Sequence, residues 1–211
     1  MVFMTEIMVF RHGQSVADIE KKCEGRADFP LTSLGMEQAR ALAEWMNERW
    51  RPDAIYCSPL KRAKETAGVI TRVTGVEVRY DDDLMERNNG VIAGMPIEEA
   101  RRLYPIPPEG HKRHYALEGG ETEIQFRARA ETFISKLQDD MIRHPERTKL
   151  CIVCHGGTIT MLFRSFLNLP YDSNVVLRTG DSGFHLWAID NGNKLILATN
   201  SQEHLPHHLR L

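Results

Sequence analysis

The stretch MVFRHGQS, residues 8–15, decides how this chain is expected to fold. A short apolar run ends abruptly at an arginine, a histidine and a glycine, which is typical of a buried strand whose carboxyl end opens into a polar site. Arginine presents a rigid fork of donors that matches phosphate oxygens, and histidine acts as nucleophile or proton carrier near neutral pH. Gly13 lets the backbone turn tightly beside them. The sequence therefore predicts a polar site after the first strand.

Length, net charge and the distribution of apolar residues limit which classes of protein this chain can belong to. The 211 residues suffice for one domain with a sizeable core. The charged residues are 27 Lys and Arg against 29 Asp and Glu, so the net charge of -2 favours neither a nucleic-acid nor a membrane-surface partner. No apolar run approaches the roughly 18 residues of a membrane span, and the first residues do not resemble a signal peptide. We expect a cytoplasmic protein.

Two of the four cysteines, Cys151 and Cys154, have the CxxC spacing of metal and redox sites. They fall in a predicted strand, where residues three apart point to opposite faces, and no second cysteine pair lies nearby. We therefore expect neither a metal site nor a bound cofactor.

Strands and helices alternate along most of the chain. Strands are predicted over residues 7–10, 54–57, 76–80 and 150–154, and helices over residues 33–50, 60–74, 97–104, 122–144 and 156–167. The apolar stripe of the longest helix comprises Ile124, Phe126, Ala130, Phe133, Ile134, Leu137 and Met141. This order predicts a three-layer α/β/α fold around a mostly parallel sheet.

The remaining segments complete the expected layout. Residues 18–30 and 81–121 are predicted to be largely loop, the second forming a small insertion that caps the sheet edge within one domain, 1–211. Residues 174–179, 183–190 and 195–199 are predicted to be strands. The last two would form a hairpin, so one strand of the sheet is expected to be antiparallel.

Three predicted strands end in the same way. Arg11 and His12 follow the first, Ser58-Pro59 and then Arg62 follow the second, and His155 with Gly156 follows the fourth. Ligands of open α/β sheets bind beyond the carboxyl ends of parallel strands, and helices that begin there favour an anion. We expect two arginines and two histidines to converge on one phosphate-sized group.

Each residue also has a simpler interpretation. For Arg62, in the first turn of a helix, it is a solvated cation, although a cation there opposes the helix dipole unless an anion is bound. For His155 it is a buried histidine with satisfied hydrogen bonds or a turn residue. Their shared position at strand ends favours a site.

These motifs resemble the histidine phosphatase superfamily, in its phosphoglycerate-mutase-like branch. The resemblance spans nearly the whole chain in the expected order. It rests on the segments RHGQS (11–15), GRADFPLT (25–32), SPLKRAKETA (58–67), ERNNG (86–90), GGET (119–122) and CHGG (154–157).

The resemblance implies a role for each residue. His12 would attack phosphorus and become a phosphohistidine, while Arg11, Arg62 and His155 would hold the phosphoryl oxygens. Glu86 would protonate the leaving oxygen and then activate water. Phosphoryl transfer needs such positioning and charge stabilisation, and one carboxyl can serve both steps. The positive side chains make a metal unnecessary.

Glu86 has competitors. Glu65, Glu118 and Glu121 are also within range, and the family pattern selects Glu86 among them. The alternative is that Glu86 is a surface glutamate paired with Arg87.

Asp18 departs from the family, which often has an asparagine at that position. A carboxylate beside a phosphate would repel it unless Asp18 is protonated, turned away or paired with a cation. We therefore do not count Asp18 as a phosphate ligand.

The predicted activity is hydrolysis of a phosphomonoester of a small metabolite. Mutases of the family are generally longer, with a larger insertion and a tail over the site. A 2,3-bisphosphoglycerate-dependent phosphoglycerate mutase is the alternative among enzymes. The alternative outside enzymes is a phosphate-binding module, although this chain retains both His12 and Glu86.

Further residues are expected to contact the small phosphorylated substrate. Ser15 and Gly156 adjoin the catalytic residues, and Arg26 is expected at the mouth of the site. Lys112 and Arg113 belong to a basic cluster that either receives a second anionic group or is a solvated loop. The sequence predicts neither the natural substrate nor the oligomeric state.

Overall fold

A computed structural model describes residues 4–210. Six strands form one sheet: β1 (Thr5–Arg11), β2 (Ala54–Cys57), β3 (Val78–Tyr80), β4 (Lys149–Cys154), β5 (Phe184–Asp190) and β6 (Asn193–Ser201). Six α-helices accompany them: α1 (Val16–Glu20), α2 (Ser33–Arg49), α3 (Lys61–Thr74), α4 (Ile97–Leu103), α5 (Glu123–Arg143) and α6 (Gly156–Phe166). None of these helices is long and apolar enough to cross a membrane.

The sheet has the strand order β3-β2-β4-β1-β5-β6. Strand β1 pairs in parallel with β4 and antiparallel with β5, and β6 is antiparallel to β5. Consequently β5 alone runs against the other five strands. The predicted mostly parallel sheet with one antiparallel strand is confirmed, and Asn191 and Gly192 form the predicted hairpin turn.

A hydrophobic core lies on each face of the sheet. Met8 and Phe10 pack on one face with residues of α2 and α3, whereas Ile7 and Val9 pack on the other with residues of α5 and α6. This alternation follows from the two-residue period of a strand. The expected three-layer α/β/α architecture is confirmed.

The same alternation separates the two cysteines of the CxxC spacing. Cys151 belongs to the core under α2 and α3, and Cys154 belongs to the core under α5 and α6. Both thiols are buried and unpaired, as expected for strand residues three apart.

Residues 174–179 do not form the predicted strand. Instead, the Val175 carbonyl accepts a hydrogen bond from Arg164 Nε at 2.7 Å, and the Leu177 N–H donates to Thr160 Oγ1 at 3.3 Å. The segment is thus bound to side chains of α6. Strand β1 is already paired with β4 on one side and with β5 on the other. Residues 174–179 therefore cannot pair with β1.

Two smaller predictions are also wrong. Ile124 is 44% exposed, because at 100° per residue it lies about 160° around the helix from the buried Phe126. The predicted loop over residues 18–30 begins inside α1, since Ser15 and Asp18 form a capping box at the start of that helix.

Residues 81–121 contain α4 and two short 3-10 segments, Asp82–Leu84 and Gly90–Ile92. This segment is tied to the loop after α1 by a bridge between Lys22 and Pro96 and by the Gly94 N–H, which donates to the Cys23 carbonyl at 2.7 Å. These bonds position the insertion beside the end of β1.

Candidate active site

The site forms where three neighbouring parallel strands end. Arg11 at the end of β1 lies opposite Cys154 at the end of β4, and Cys57 of β2 lies opposite Val153. The residues that follow these strands are therefore brought to one edge of the sheet. The structure brings His12, Arg62 and His155 together at that edge, together with Arg11 and Glu86.

The His12 ring is fully buried. Its Nδ1 lies 2.7 Å from the Gly13 carbonyl oxygen, which can only accept, so Nδ1 carries the proton. Nε2 accepts from Arg62 Nε at 3.1 Å and is therefore unprotonated. Burial, followed by the charges of Arg62 and Arg11, lowers the pKa of His12 well below the usual value. His12 is thus held as a neutral imidazole with Nε2 towards the arginine.

Two glycines set the position of this loop. A Cβ on Gly13 would lie 2.5 Å from the Gly35 carbonyl oxygen, and a Cβ on Gly35 would overlap the Gln14 carbonyl. The loop after β1 therefore packs backbone to backbone on the first turn of α2. Buried Gln38, from the next turn, accepts from the Gln14 N–H at 2.9 Å.

Arg62 is completely buried, with 0% exposure. Besides His12, its guanidinium donates to the Ala27 carbonyl at 3.0 Å and to the Gly25 carbonyl at 2.9 Å. The interpretation of Arg62 as a solvated cation is wrong. Burial lowers the pKa of this arginine, although it remains a cation at neutral pH.

His155 caps α6 and lies against His12, with 5.1 Å between the ring centroids. Its Nε2 is 2.8 Å from Ser58 Oγ, so the residue that follows β2 orients the ring. Within residues 4–210, buried Nδ1 has no hydrogen-bond partner. Burial, with the charge of Arg62 next, lowers the pKa of His155 well below its usual value.

Arg11 is held by carboxylates. Its Nη1 lies 2.9 Å from Asp181 and donates to the Thr179 carbonyl at 3.1 Å, while its Nη2 lies 3.5 Å from Asp18. Asp18 also accepts from the Ser15 N–H at 2.8 Å. The sequence leaves Asp18 protonated, turned away or paired with a cation. In the structure it is paired with a cation, Arg11.

Glu86 reaches the amino terminus of α6. Its Oε2 accepts from the Gly157 N–H at 2.9 Å, and its Oε1 accepts from the Arg87 N–H at 2.8 Å. One carboxylate oxygen therefore binds a backbone donor at the positive end of α6, and the other binds a donor in its own loop. Its backbone carbonyl accepts from Arg129 at 3.0 Å, which fixes the loop.

Two of the three competing glutamates are engaged elsewhere. Glu65 accepts from the Leu31 N–H at 2.7 Å, and Glu121 pairs with Arg129 at 2.8 Å. Glu118 is exposed.

Sequence reasoning missed Glu24. Its Oε1 lies 2.5 Å from Ser15 Oγ and 3.4 Å from Arg62 Nε, and its Oε2 lies 3.8 Å from His12 Nε2. Nothing in the sequence pattern indicates it, because a carboxylate is not a residue one expects beside a phosphate. Asp181 was missed for the same reason.

The residues expected to contact the substrate differ in their burial and in their hydrogen-bond partners. Ser15 is buried and bonded to Glu24, Gly156 begins α6, and Arg26 Nε donates to the Glu86 carbonyl at 3.5 Å. Lys112 is exposed, and Arg113 donates to Asn174 at 3.4 Å.

A cavity of about 280 Å³ is lined by residues of the segment 87–121 and by Cys23. Its wall includes Cys23 and Arg87, which are the chain neighbours of Glu24 and Glu86. Most of the other lining groups are apolar or aromatic, among them Ile92, Ile97, Ala100, Tyr104, Ile106, Tyr115, Ala116 and Leu117. His111, the chain neighbour of Lys112, lines this cavity and stacks on Tyr115.

Known proteins share both sequence and fold with this chain. Uncharacterized phosphatase PhoE of Bacillus subtilis is 40% identical over 103 residues, which is 48% of this chain and 52% of that protein. Glucosyl-3-phosphoglycerate phosphatase of Mycolicibacterium vanbaalenii is 31% identical over 186 residues, 86% of this chain and 81% of the relative. Phosphoglycerate mutase-like protein 4 of Arabidopsis thaliana is 31% identical over 190 residues, 86% of this chain and 80% of the relative.

The fold is likewise shared. The solved structure of mycobacterial glucosyl-3-phosphoglycerate phosphatase aligns with a TM-score of 0.83 at 25% identity, and covers 95% of this chain and all of its own. The sequence profile of the histidine phosphatase superfamily (branch 1) matches residues 7–201. The chain therefore belongs to the histidine phosphatase superfamily, as its motifs predict.

Proposed function

We propose that the protein is a phosphatase that hydrolyses a phosphomonoester through a phosphohistidine on His12. The observation that carries this proposal is the state of His12, whose unprotonated Nε2 lies 3.1 Å from a buried arginine at the carboxyl end of β1. A neutral imidazole can attack phosphorus without first losing a proton.

The reaction needs two displacements. Nε2 of His12 forms a bond to phosphorus while the ester P–O bond breaks, and Glu86 in its protonated form gives its proton to the leaving oxygen. The ionised Glu86 then takes a proton from a water molecule, whose oxygen attacks phosphorus as the N–P bond breaks. Phosphate leaves, and both side chains return to their starting states.

Charge on the transferred phosphoryl group is stabilised by groups that the fold holds in place. Arg62 donates to Nε2 of His12, the His155 ring lies 5.1 Å from the His12 ring, and Arg11 ends the strand that precedes His12. The two arginines supply positive potential without a metal, and preorganised donors need no reorganisation when the charge develops.

We further propose that the leaving alcohol carries an apolar or aromatic portion. The cavity beside Arg87 has the composition of a ligand pocket, apolar with a few polar groups, and it shares two chain segments with the phosphate site. In this proposal residues 1–211 are one domain, residues 81–121 act as a cap, and the substrate is a small cytoplasmic metabolite.

The first experiment measures phosphate release from a panel of phosphomonoesters in the presence of a chelator. The panel contains 1-naphthyl phosphate, phosphoserine, and 3-phosphoglycerate with its bisphosphate primer, which also allows 2-phosphoglycerate to be detected. We expect chelator-resistant phosphate release, fastest with the aryl ester, that His12→Ala abolishes.

Other outcomes identify the alternatives. Isomer formation with little phosphate release would identify a mutase, and no turnover of any substrate would favour a phosphate-binding module. The double substitution Lys112→Ala and Arg113→Ala tests the basic cluster: it should raise KM for phosphoglycerate and spare the aryl ester. Equal effects on the two substrates would exclude a second anion site there.

A further inference from the structure

Glu24 occupies the space between the groups proposed to hold the phosphoryl group. One carboxylate oxygen lies 3.4 Å from Arg62 Nε, and the other lies 3.8 Å from His12 Nε2. Its side chain is only 18% exposed. An anion that binds Arg62 beside His12 must therefore lie against this carboxyl.

The positive side chains around Glu24 are already paired with carboxylates, so none is left to balance the charge of a bound anion. Arg62 and Arg11 are positive, but Asp181 and Asp18 already pair with Arg11 at 2.9 and 3.5 Å. Two arginines thus face Glu24, Asp18 and Asp181 before any ligand is present, and the Glu86 carboxyl also acts on Arg62. His12 and His155 are neutral, because burial lowers the pKa of both. A bound dianion beside an ionised Glu24 would add like charges at close range in a mostly buried site.

We propose that the anion and a proton bind together, with the proton on Glu24, so that its neutral carboxyl donates a hydrogen bond to an oxygen of the anion. The protonated carboxyl keeps an acceptor for Ser15 Oγ, now 2.5 Å away, and has a proton to offer the ligand. This inference rests on the proposed phosphoryl site.

One further observation supports a neutral Glu24 in the loaded site, and a second fixes its position. Burial raises the pKa of this carboxyl, and the charge of Asp18 acts in the same direction, against the charges of Arg62 and Arg11 and the Ser15 hydrogen bond. The backbone next to Glu24 is fixed, because the Gly25 carbonyl accepts from Arg62 at 2.9 Å. The carboxyl therefore remains beside the anion site.

Sulfate is the probe for this proposal, because it is a tetrahedral dianion that does not titrate between pH 5.5 and 8.5. Its dissociation constant is measured by calorimetry across that range, in pairs of buffers with different ionisation enthalpies that report proton uptake. Glu24→Gln keeps the shape of the side chain and removes its titration. Glu20→Gln makes the same change on an exposed residue that pairs with Lys22.

We expect sulfate affinity of the wild type to fall by up to about tenfold per pH unit as pH rises, because binding takes up one proton. Glu24→Gln should bind at least about tenfold more tightly at pH 8 and take up fewer protons, whereas Glu20→Gln should match the wild type. Glu24→Ala, which lacks an amide, should show the same flattened pH dependence.

The proposal is wrong if Glu24→Gln and Glu24→Ala lose affinity with pH in parallel with the wild type, or if the wild type does not bind sulfate at pH 5.5. Neither measurement needs turnover. A Glu24-dependent proton uptake without His12-dependent phosphate release would therefore uphold this inference and refute the proposed phosphatase activity.

Discussion

Arg62 shows what a single residue must do in this site. Its three hydrogen bonds place a permanent positive charge beside His12 while they satisfy the carbonyls of Gly25 and Ala27. A planar fork of donors is required for this, because an ammonium group is a compact point charge with a different reach. The residue therefore links the conformation of the loop after α1 to the state of the proposed nucleophile.

The substitution Arg62→Lys should keep the charge and lose this function. We expect kcat/KM to fall by at least about 100-fold and the protein to be destabilised by roughly 1–3 kcal/mol, because buried carbonyls lose their donors. Steady-state kinetics and urea unfolding check both values. Arg72→Lys, on an exposed position of the same helix, is the control. Activity of Arg62→Lys within threefold of the wild type would contradict the proposed role.

At the scale of elements, the loop after β1 depends on the start of α2. Neither Gly13 nor Gly35 has a positive φ, so neither position needs the conformational freedom of glycine. Both positions need glycine because there is no room for a Cβ atom. Gly35 faces the Gln14 carbonyl, and a side chain there would push the loop that carries His12 away from the helix. The position of the proposed nucleophile thus depends on contact between two elements.

A matched pair of glycine substitutions tests this contact. Gly35→Ala should destabilise the protein by roughly 2 kcal/mol or more and lower kcat, since backbone atoms must move. Gly68→Ala, inside α3, meets nothing nearer than 3.8 Å and should stabilise by roughly 0.5–1 kcal/mol through helix propensity. Thermal unfolding distinguishes the two, and equal shifts would show that the close approach does not matter.

At the scale of the molecule, four histidines are buried: His12, His155, His185 and His204. Burial is the main cause of a lowered pKa in all four, and His185 and His204 each fall to about 4. Unfolding returns them to the ordinary range, so below about pH 6.5 the unfolded chain binds more protons than the folded one. The contribution of these histidines to the free energy of unfolding therefore falls as the pH falls through 6.5.

Replacing one of these histidines should reduce that acid sensitivity. His204 packs between aromatic rings, 5.8 Å from Phe184 and 6.3 Å from Trp45 between centroids. His204→Phe should recover roughly 2 kcal/mol of the stability lost between pH 7 and pH 5. Urea unfolding at both pH values measures this, with His207→Phe on an exposed residue as the control. An unchanged loss between the two pH values would contradict the assignment.

The sequence by itself determined the elements and much of the proposed site. Period-two and helical patterns identified the strands and helices, because burial on one face repeats with the geometry of each element. Arg11, His12, Arg62 and His155 could be found because each follows the end of a strand. Glu86 needed the family pattern, since a loop carries no such period.

Only the tertiary structure decided which groups meet across the chain. Glu24 faces Arg62 and His12, and Asp181 pairs with Arg11, because the loop after α1 and the turn before β5 fold onto the same end of the sheet. The valines of residues 174–179 favour a strand. Both edges of β1 are already paired with other strands, however, and the segment forms hydrogen bonds with side chains of α6 instead. Local patterns record which face of an element is buried, whereas pairing between distant segments depends on the space and the hydrogen-bond partners that remain once the sheet has formed.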